Sequence, residues 1–208
     1  MKKTVIDDFR RAFGTHWIAV KFYREHPGVK DTEHLQDVRF CEATKKAITH
    51  PVILDKNSIN CPGALFAFGW KNVSSFYKHC LKKSNLTKGT LRSVIPKLTH
   101  LDGTFQFIGL NTEQEPDVIM SYVTPAQVMK LLYLYHNKKG ENLDISLCSM
   151  LSICSGIAVK SYLQNEITFS FGCSDSRTYA KIVRERLAVG IPKKHFDLVQ
   201  PKKDEKRL

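Results

Sequence analysis

The sequence predicts an α/β or α+β fold in which two structurally similar halves are fused in one domain about a pseudo-two-fold axis. Three observations lead there. Helical and strand periodicities alternate along the chain. A cysteine-bearing unit occurs twice: nineteen residues separate Cys41 from Cys61, and eighteen separate Cys154 from Cys173. In each copy the first cysteine precedes a short alanine-containing helical stretch, a β-rich run follows, and the second cysteine opens another helix. No linker composition separates the halves, which cover about 15–70 and 115–192 and flank a basic segment, 71–114.

Residues 1–14 read as a helix because Val5, Ile6, Phe9 and Phe13 recur at helical spacing, and Gly14 ends it. Trp17–Tyr23, aromatic and β-branched, is a strand, and "EHPGVKDTEHL" is a polar loop with a Pro-Gly turn. The first cysteine unit gives a helix over 41–49, a strand over 51–54 and a helix over 61–69. "NVSSFYKHCLKK" has the spacing of a helix, and a strand runs from Thr104 to Leu110. Asp117–Val123 is the strand that corresponds to Trp17–Tyr23.

Thr124 and Pro125 then start a helix with an apolar stripe of Val128, Leu131, Leu132 and Tyr135, closed by Gly140. "LDISLCSMLSICSGIAVKSYL", residues 143–163, is apolar and reads as helical despite Gly156. A strand places Ile167, Phe169 and Phe171 on one side. "SDSRTYAKIVRERLAVGIP" reads as one amphipathic helix ended by Gly190-Ile191-Pro192.

Composition bounds the function. With 208 residues, 42% hydrophobic and 25% charged, the chain is globular and buries a sizeable core without disulfides. No run approaches the roughly 20 apolar residues that span a bilayer. Asp7, Asp8, Arg10 and Arg11 fall where a secretory signal needs apolar residues, so the expectation is a cytoplasmic protein with reduced thiols. The net charge of +12 is concentrated: residues 56–101 hold eight Lys or Arg and no Asp or Glu. Such a face suits an acidic redox partner protein. Nucleic acid ranks behind it, because no reading motif accompanies the charge. The C-terminal "PKKDEKRL" reads as a solvated tail, and the oligomeric state is open.

Six cysteines in a reducing compartment point to metal, redox or catalytic use. Cys61, followed by Pro62, sits at a helix N-cap, and Cys173 occupies another strand-to-helix turn. N–H groups at a helix start favour thiolate over thiol, and Gly63 and Gly172 allow close approach to the backbone. Cys41 and Cys154 hold the equivalent places in the repeat. Three readings compete. A [4Fe–4S] cluster needs four thiolates, which Cys41, Cys61, Cys154 and Cys173 supply, although the short spacings of ferredoxins are absent. Structural zinc is a lesser alternative, lacking the usual knuckles. The third reading is metal-free: either a non-redox binding module with a cysteine-lined pocket, or a thiol-dependent enzyme using Cys61 or Cys173. Cys80 and Cys148 read as small buried hydrophobes, though Cys148, six residues before Cys154, competes with it as fourth ligand.

Arg177 suits an anionic ligand over the site or a pair with Asp175, and is equally at home as a structural arginine. Asp175 suits a helix cap. Glu42 is an acid–base candidate beside Cys41 but more ordinarily a helix-start carboxylate. His79, His100, His136 and His195 form no ligand spacing, and no phosphate-loop, dinucleotide, zinc-protease or serine-hydrolase motif is present.

The ordered segments "VRFCEATKKA", "NCPGALFAFGW", "PDVIMSYVTPAQVMKLLY", "ICSGIAV" and "ITFSFGCSDSRTYAKI" resemble domain of unknown function 169 (DUF169), an uncharacterised prokaryotic family common in archaea and anaerobic bacteria. The resemblance spans residues 15–200. Its pattern falls on Cys41 and Ala43; on Cys61, Gly63 and Ala64; on Cys154; and on Gly172, Cys173 and Arg177. Asp175-Ser176 departs from it, where a glycine and a small residue are expected. The resemblance implies a cysteine site in an anaerobic-type metabolism, serving electron transfer or small-ligand binding, and favours the cluster. It supplies no established reaction.

Overall fold

A computed structural model describes residues 5–29, 31–145, 147 and 150–199. One mixed seven-stranded sheet organises them, in the order β2-β3-β4-β1-β5-β7-β6. Its strands are β1 (Trp17–Tyr23), β2 (Glu33–His34), β3 (Val52–Leu54), β4 (Phe107–Leu110), β5 (Val118–Val123), β6 (Thr168–Ser170) and β7 (Leu187–Pro192). Every pairing is antiparallel except β2 with β3. At the centre β1 lies against β5, with Trp17 opposite Ser121 and Val20 opposite Val118.

Both faces of the sheet are covered, which is why its strands read as continuous apolar runs. Alternation sends Ile18, Val20, Phe22, Val118 and Met120 to one core and Trp17, Ile119 and Val123 to the other. On the second face α1 (Val5–Phe13) and α6 (Pro125–Lys139) pack. Phe9 and Phe13 of α1 set their rings 4.9 and 5.6 Å from that of Trp17. Thr124 and Gln127 form a reciprocal capping box at the start of α6, and Gly140, at φ +73°, closes it.

The first face carries α2 (Phe40–Lys46), α3 (Pro62–Ala67), a six-residue π-helix (Cys154–Val159) continuing into α7 (Lys160–Gln164), and α8 (Ser174–Tyr179). Outside α3 lie α4 (Val73–Lys83) and α5 (Lys88–Val94). Phe66 of α3 stacks on Phe76 of α4 at 4.6 Å, and Leu91 and Ile95 complete that satellite core. The N-caps Asn72 and Thr87 accept from the backbone N–H of Ser75 and Thr90. No helix among the described residues is long and apolar enough to cross a membrane.

Four expectations need correction. The helix expected over 143–163 begins only at Cys154, and residues 143–145 and 150–153 before it are not helical. The helix expected over 174–192 stops at Tyr179, and Leu187–Pro192 is instead strand β7, paired residue for residue with β5 and flanked by β6. Lys181, at φ +51°, turns the chain between them. Phe171 lies beyond the end of β6 and is exposed, while Ile167 and Phe169 are buried as expected. The basic segment holds a second helix, α5, whose polar sequence "KGTLRSV" offers little apolar periodicity. The C-terminal tail lies outside the described residues.

Candidate functional site

Two strand-to-helix turns set the first pair of sulfurs. Cys61 is the N-cap of α3 in extended conformation, with Pro62 in the first turn, and Cys173 is the N-cap of α8. Cys41 lies in the first turn of α2, behind the N-cap Arg39, and Cys154 begins the π-helix. Packing of α2 on α8 and of α3 on the π-helix then gathers the four. Each lies within electrostatic reach of others: the ionisation of Cys41 feels Cys173 and Cys61, and that of Cys154 feels Cys61, Cys173 and Cys41. Cys41 and Cys154 are buried, Cys61 and Cys173 half-buried, and none of the four is in a disulfide.

Cys41, Cys61 and Cys154 are held as thiols more firmly than helix-start arguments suggest. Burial, with the neighbouring cysteines adding to it, pushes Cys41 up to about 12 and Cys154 well above the ordinary value. The N–H groups expected at Cys61 are present, on Ala64 and Gly63, and Arg39 adds positive charge, yet burial outweighs them and the Cys61 pKa is raised. Low-dielectric surroundings penalise an uncompensated thiolate more than two backbone dipoles relieve it.

The π-helix is a local irregularity of the kind that collects at functional sites. Leu151 precedes it at φ +49°, a left-handed conformation unusual for a branched side chain. Its carbonyl accepts from the N–H groups of Ser155 and Gly156, at 2.9 and 3.1 Å, and from the Cys154 thiol at 3.7 Å. Its side chain fills the space beside Gly63, where a Cβ would meet Leu151 Cδ2 at 2.2 Å. The backbone approach that Gly63 permits is therefore taken by Leu151.

Around the sulfurs stand groups that sequence reasoning missed. The Arg39 guanidinium donates to Asp175 Oδ2 at 2.5 Å and lies 3.9 Å from the Tyr179 ring centroid. Asp175 thus pairs with Arg39 rather than Arg177. Tyr122 on β5 shares a hydrogen bond with Thr44 Oγ1 at 3.2 Å, and that hydroxyl also donates to the Cys41 carbonyl at 2.8 Å. Burial raises the Tyr122 pKa, opposed by the Thr44 bond and reinforced by Cys41 and Cys173. No spacing rule marks these residues, because their meeting depends on the packing of helices and sheet.

The other expected residues have definite places. Arg177 donates to the carbonyls of Phe171, Ile182, Val183 and Arg186, tying both ends of the loop between α8 and β7. Gly172 sits at φ +83°, and a Cβ there would meet Ser176 Oγ at 2.8 Å and Arg177 Nε at 3.3 Å. Glu42 accepts from the Arg39 backbone N–H at 3.0 Å, the half of a capping box that an arginine N-cap allows. Cys80 is buried in the core of Phe66, Phe76 and Leu91, as a small hydrophobe. Cys148 lies outside the described residues.

Among the described residues, no group of three or more His, Cys, Asp and Glu side chains is placed to hold a metal ion. No curated protein matches the chain. No solved structure matches it either. The family model DUF169, described as "Uncharacterised ArCR", matches residues 12–200, from the end of α1 to just past the last described residue, and the chain belongs to that family.

Proposed function

We propose that Cys41, Cys61, Cys154 and Cys173 bind a [4Fe–4S] cluster in a reducing cytoplasm, for electron transfer or for binding a small ligand. The observation that carries this reading is that packing of α2 on α8 and of α3 on the π-helix draws together four cysteines from four separate helix starts, with Cys41 and Cys154 each feeling the charge of Cys61 and Cys173. The donor set fits. Buried thiols crowded by neighbouring cysteines, as Cys41 and Cys154 are, form a site that a cationic centre would relieve, since a coordinating thiol is deprotonated outright. Zinc requires sulfurs about 2.3 Å from one ion, hence roughly 3.8 Å apart. Zinc remains the lesser alternative, because the usual knuckle spacings are absent from the sequence. When bound, the cluster would supply one-electron chemistry.

The chain's own residues hold the frame. Thr44 and Tyr122 fix the turn at Cys41, Arg177 fixes the loop behind Cys173, and Arg39 places positive charge near Cys61. The strand order supports the repeat: read outward from the β1–β5 pair, β4-β3 on one side corresponds to β7-β6 on the other. The first half then takes in β4, within the segment that the sequence set between the halves. Segment 56–101 presents the face for an acidic redox partner.

A second reading has one observation in its favour. A cleft of about 270 Å³ beside Tyr122, lined also by Lys45, Lys181 and Arg186, suits a small anionic ligand without any cluster. The deciding experiment measures iron, sulfide and zinc per chain, with a visible spectrum, on protein purified without oxygen. About four irons and four sulfides with absorbance near 400 nm are expected. Protein that stays colourless and iron-free after reconstitution removes the cluster and leaves the anion cleft.

A further inference from the structure

We propose that the groove between α4 and α5 docks an acidic amphipathic helix of a partner protein. This deepens the basic-face reading above and does not depend on the cluster. The groove measures about 490 Å³. Val73, Tyr77 and Leu81 stand at i, i+4 and i+8 along one side of α4, and Leu91, Ile95 and Pro96 line the other wall. Leu91 and Ile95 are fully buried and form a rigid floor, whereas Val73 and Leu81 are 40% and 37% exposed. Four-residue spacing of exposed apolar side chains above a preformed floor is the geometry that receives the apolar stripe of a helix.

Charge selects the occupant. Lys78 and Arg92 line the groove itself. Lys82, Lys83, Lys88 and Lys97 are exposed on the same segment, which contains no carboxylate from residue 56 to 101. A helix with glutamates or aspartates flanking its apolar stripe meets this rim with opposite charge throughout. A second copy of this chain would set lysine against lysine. The chain's own C-terminal residues, "PKKDEKRL", carry four basic groups against two acidic ones and fit no better. A nucleic acid would satisfy the rim but leave the apolar floor without a partner.

The groove also adjoins the cysteine site. Leu91 and Ile95 pack with Phe66 and Phe76, and Leu151 packs against that cluster from the π-helix side. On another face of α4, the charge of Asp175 reaches His79. A partner seated here therefore lies one helix layer from Cys61 and Cys154.

The test uses a labelled peptide of about five helical turns, with leucines at i, i+3, i+4 and i+7 and glutamates elsewhere. Its anisotropy is followed with full-length protein at low and high salt, beside a scrambled peptide of equal composition and a single-stranded RNA oligomer. The ordered peptide is expected to bind at least about tenfold more tightly than the scrambled one. Leu81→Asp and Val73→Asp, both at exposed positions, should each weaken it by about tenfold or more, and Lys78→Glu with Arg92→Glu should remove most of the salt dependence. Amide exchange should slow in α4 and α5 only.

Equal binding of the scrambled peptide, no binding of either, or unchanged affinity in Leu81→Asp overturns the proposal. RNA bound more tightly than the peptide and lost in the same variants reassigns the face to nucleic acid and overturns it too. Iron content measured on the same samples separates the two readings: full iron with no peptide binding removes the groove alone, and peptide binding without iron removes the cluster alone.

Discussion

Arg39 and Asp175 are 136 positions apart in the chain and joined by a 2.5 Å hydrogen-bonded ion pair. The pair links the N-cap of the helix that carries Cys41 to the first turn of the helix that Cys173 caps. It is a direct polar tie between the two cysteine units, and its cation also bears on Cys61.

Replacing Arg39 tests that tie. Arg39→Ala should cost only about 1 kcal/mol of stability, because the Asp175 side chain is 44% exposed and water screens the pair. The larger effect should fall on the site. Without the guanidinium, Cys61 loses a neighbour that favours its thiolate, so iron retention on dilution should drop and any cluster potential should move to lower values. Arg39→Lys restores the charge without the planar stack on Tyr179 and should recover the potential more than the stability. Unchanged iron retention in Arg39→Ala would show that the pair serves packing alone.

The thiol pKa values set a pH dependence for the metal-free protein. Cys41 titrates near 9.0 in an unfolded chain and is pushed up to about 12 in the fold. The folded state therefore holds the proton more tightly. Its contribution to stability is complete below about pH 9 and lost as pH rises from there towards 12. Urea midpoints taken between pH 8 and 11 should fall more steeply for the wild type than for Cys41→Ala. Alkylation of the metal-free protein at neutral pH should mark half-buried Cys173 before buried Cys41 and Cys154. Cluster assembly must remove thiol protons, so its apparent affinity should rise with pH.

Gly172 should tolerate no side chain. Its φ of +83° disfavours any other residue, and an added Cβ would press on Ser176 Oγ and Arg177 Nε. Gly172→Ala should cost about 1–3 kcal/mol. In a chain of this size that lowers Tm by very roughly 2–12 °C. Gly140→Ala, also at positive φ but with open space around its Cβ, should cost less, which isolates the contact from the backbone strain. Thermal melts of the two variants side by side make the comparison.

How far the sequence reached follows from which interactions are local. Trp17–Tyr23 is recovered residue for residue, because a continuous aromatic and β-branched run buried on both faces has no competing period. Thr124, Pro125 and Gly140 mark both ends of α6, since caps act within one turn. The N-cap positions of Cys61 and Cys173 are legible for the same reason. Residues 174–192 are not: "AKIVRER" has helical spacing, but Arg177 spends its guanidinium on carbonyls of the loop, and β7 exists only because β5 and β6 flank it. Arg39, Tyr122 and Leu151 reach the sulfurs through tertiary packing, which leaves no periodic trace.

The last test separates ligands from packing among the cysteines. Cys80 and Cys154 have nearly the same exposure, 6% and 7%, so burial alone does not distinguish them. Their surroundings do. Cys80 contacts the apolar cluster of Phe66, Phe76 and Leu91, and the chief charge acting on it is that of Lys71. Cys154 is coupled to three other sulfurs. Cys80→Ala should therefore lose only the packing of one sulfur, about 1 kcal/mol, and keep its iron. Cys154→Ala removes a thiol of similar volume and should lose stability to a similar degree in the metal-free protein, while the iron-loaded protein loses its visible absorbance. The same loss is expected for Cys41, Cys61 and Cys173. If Cys154→Ala keeps iron and Cys80→Ala loses it, the site lies under α4 instead, and the four-cysteine assignment fails.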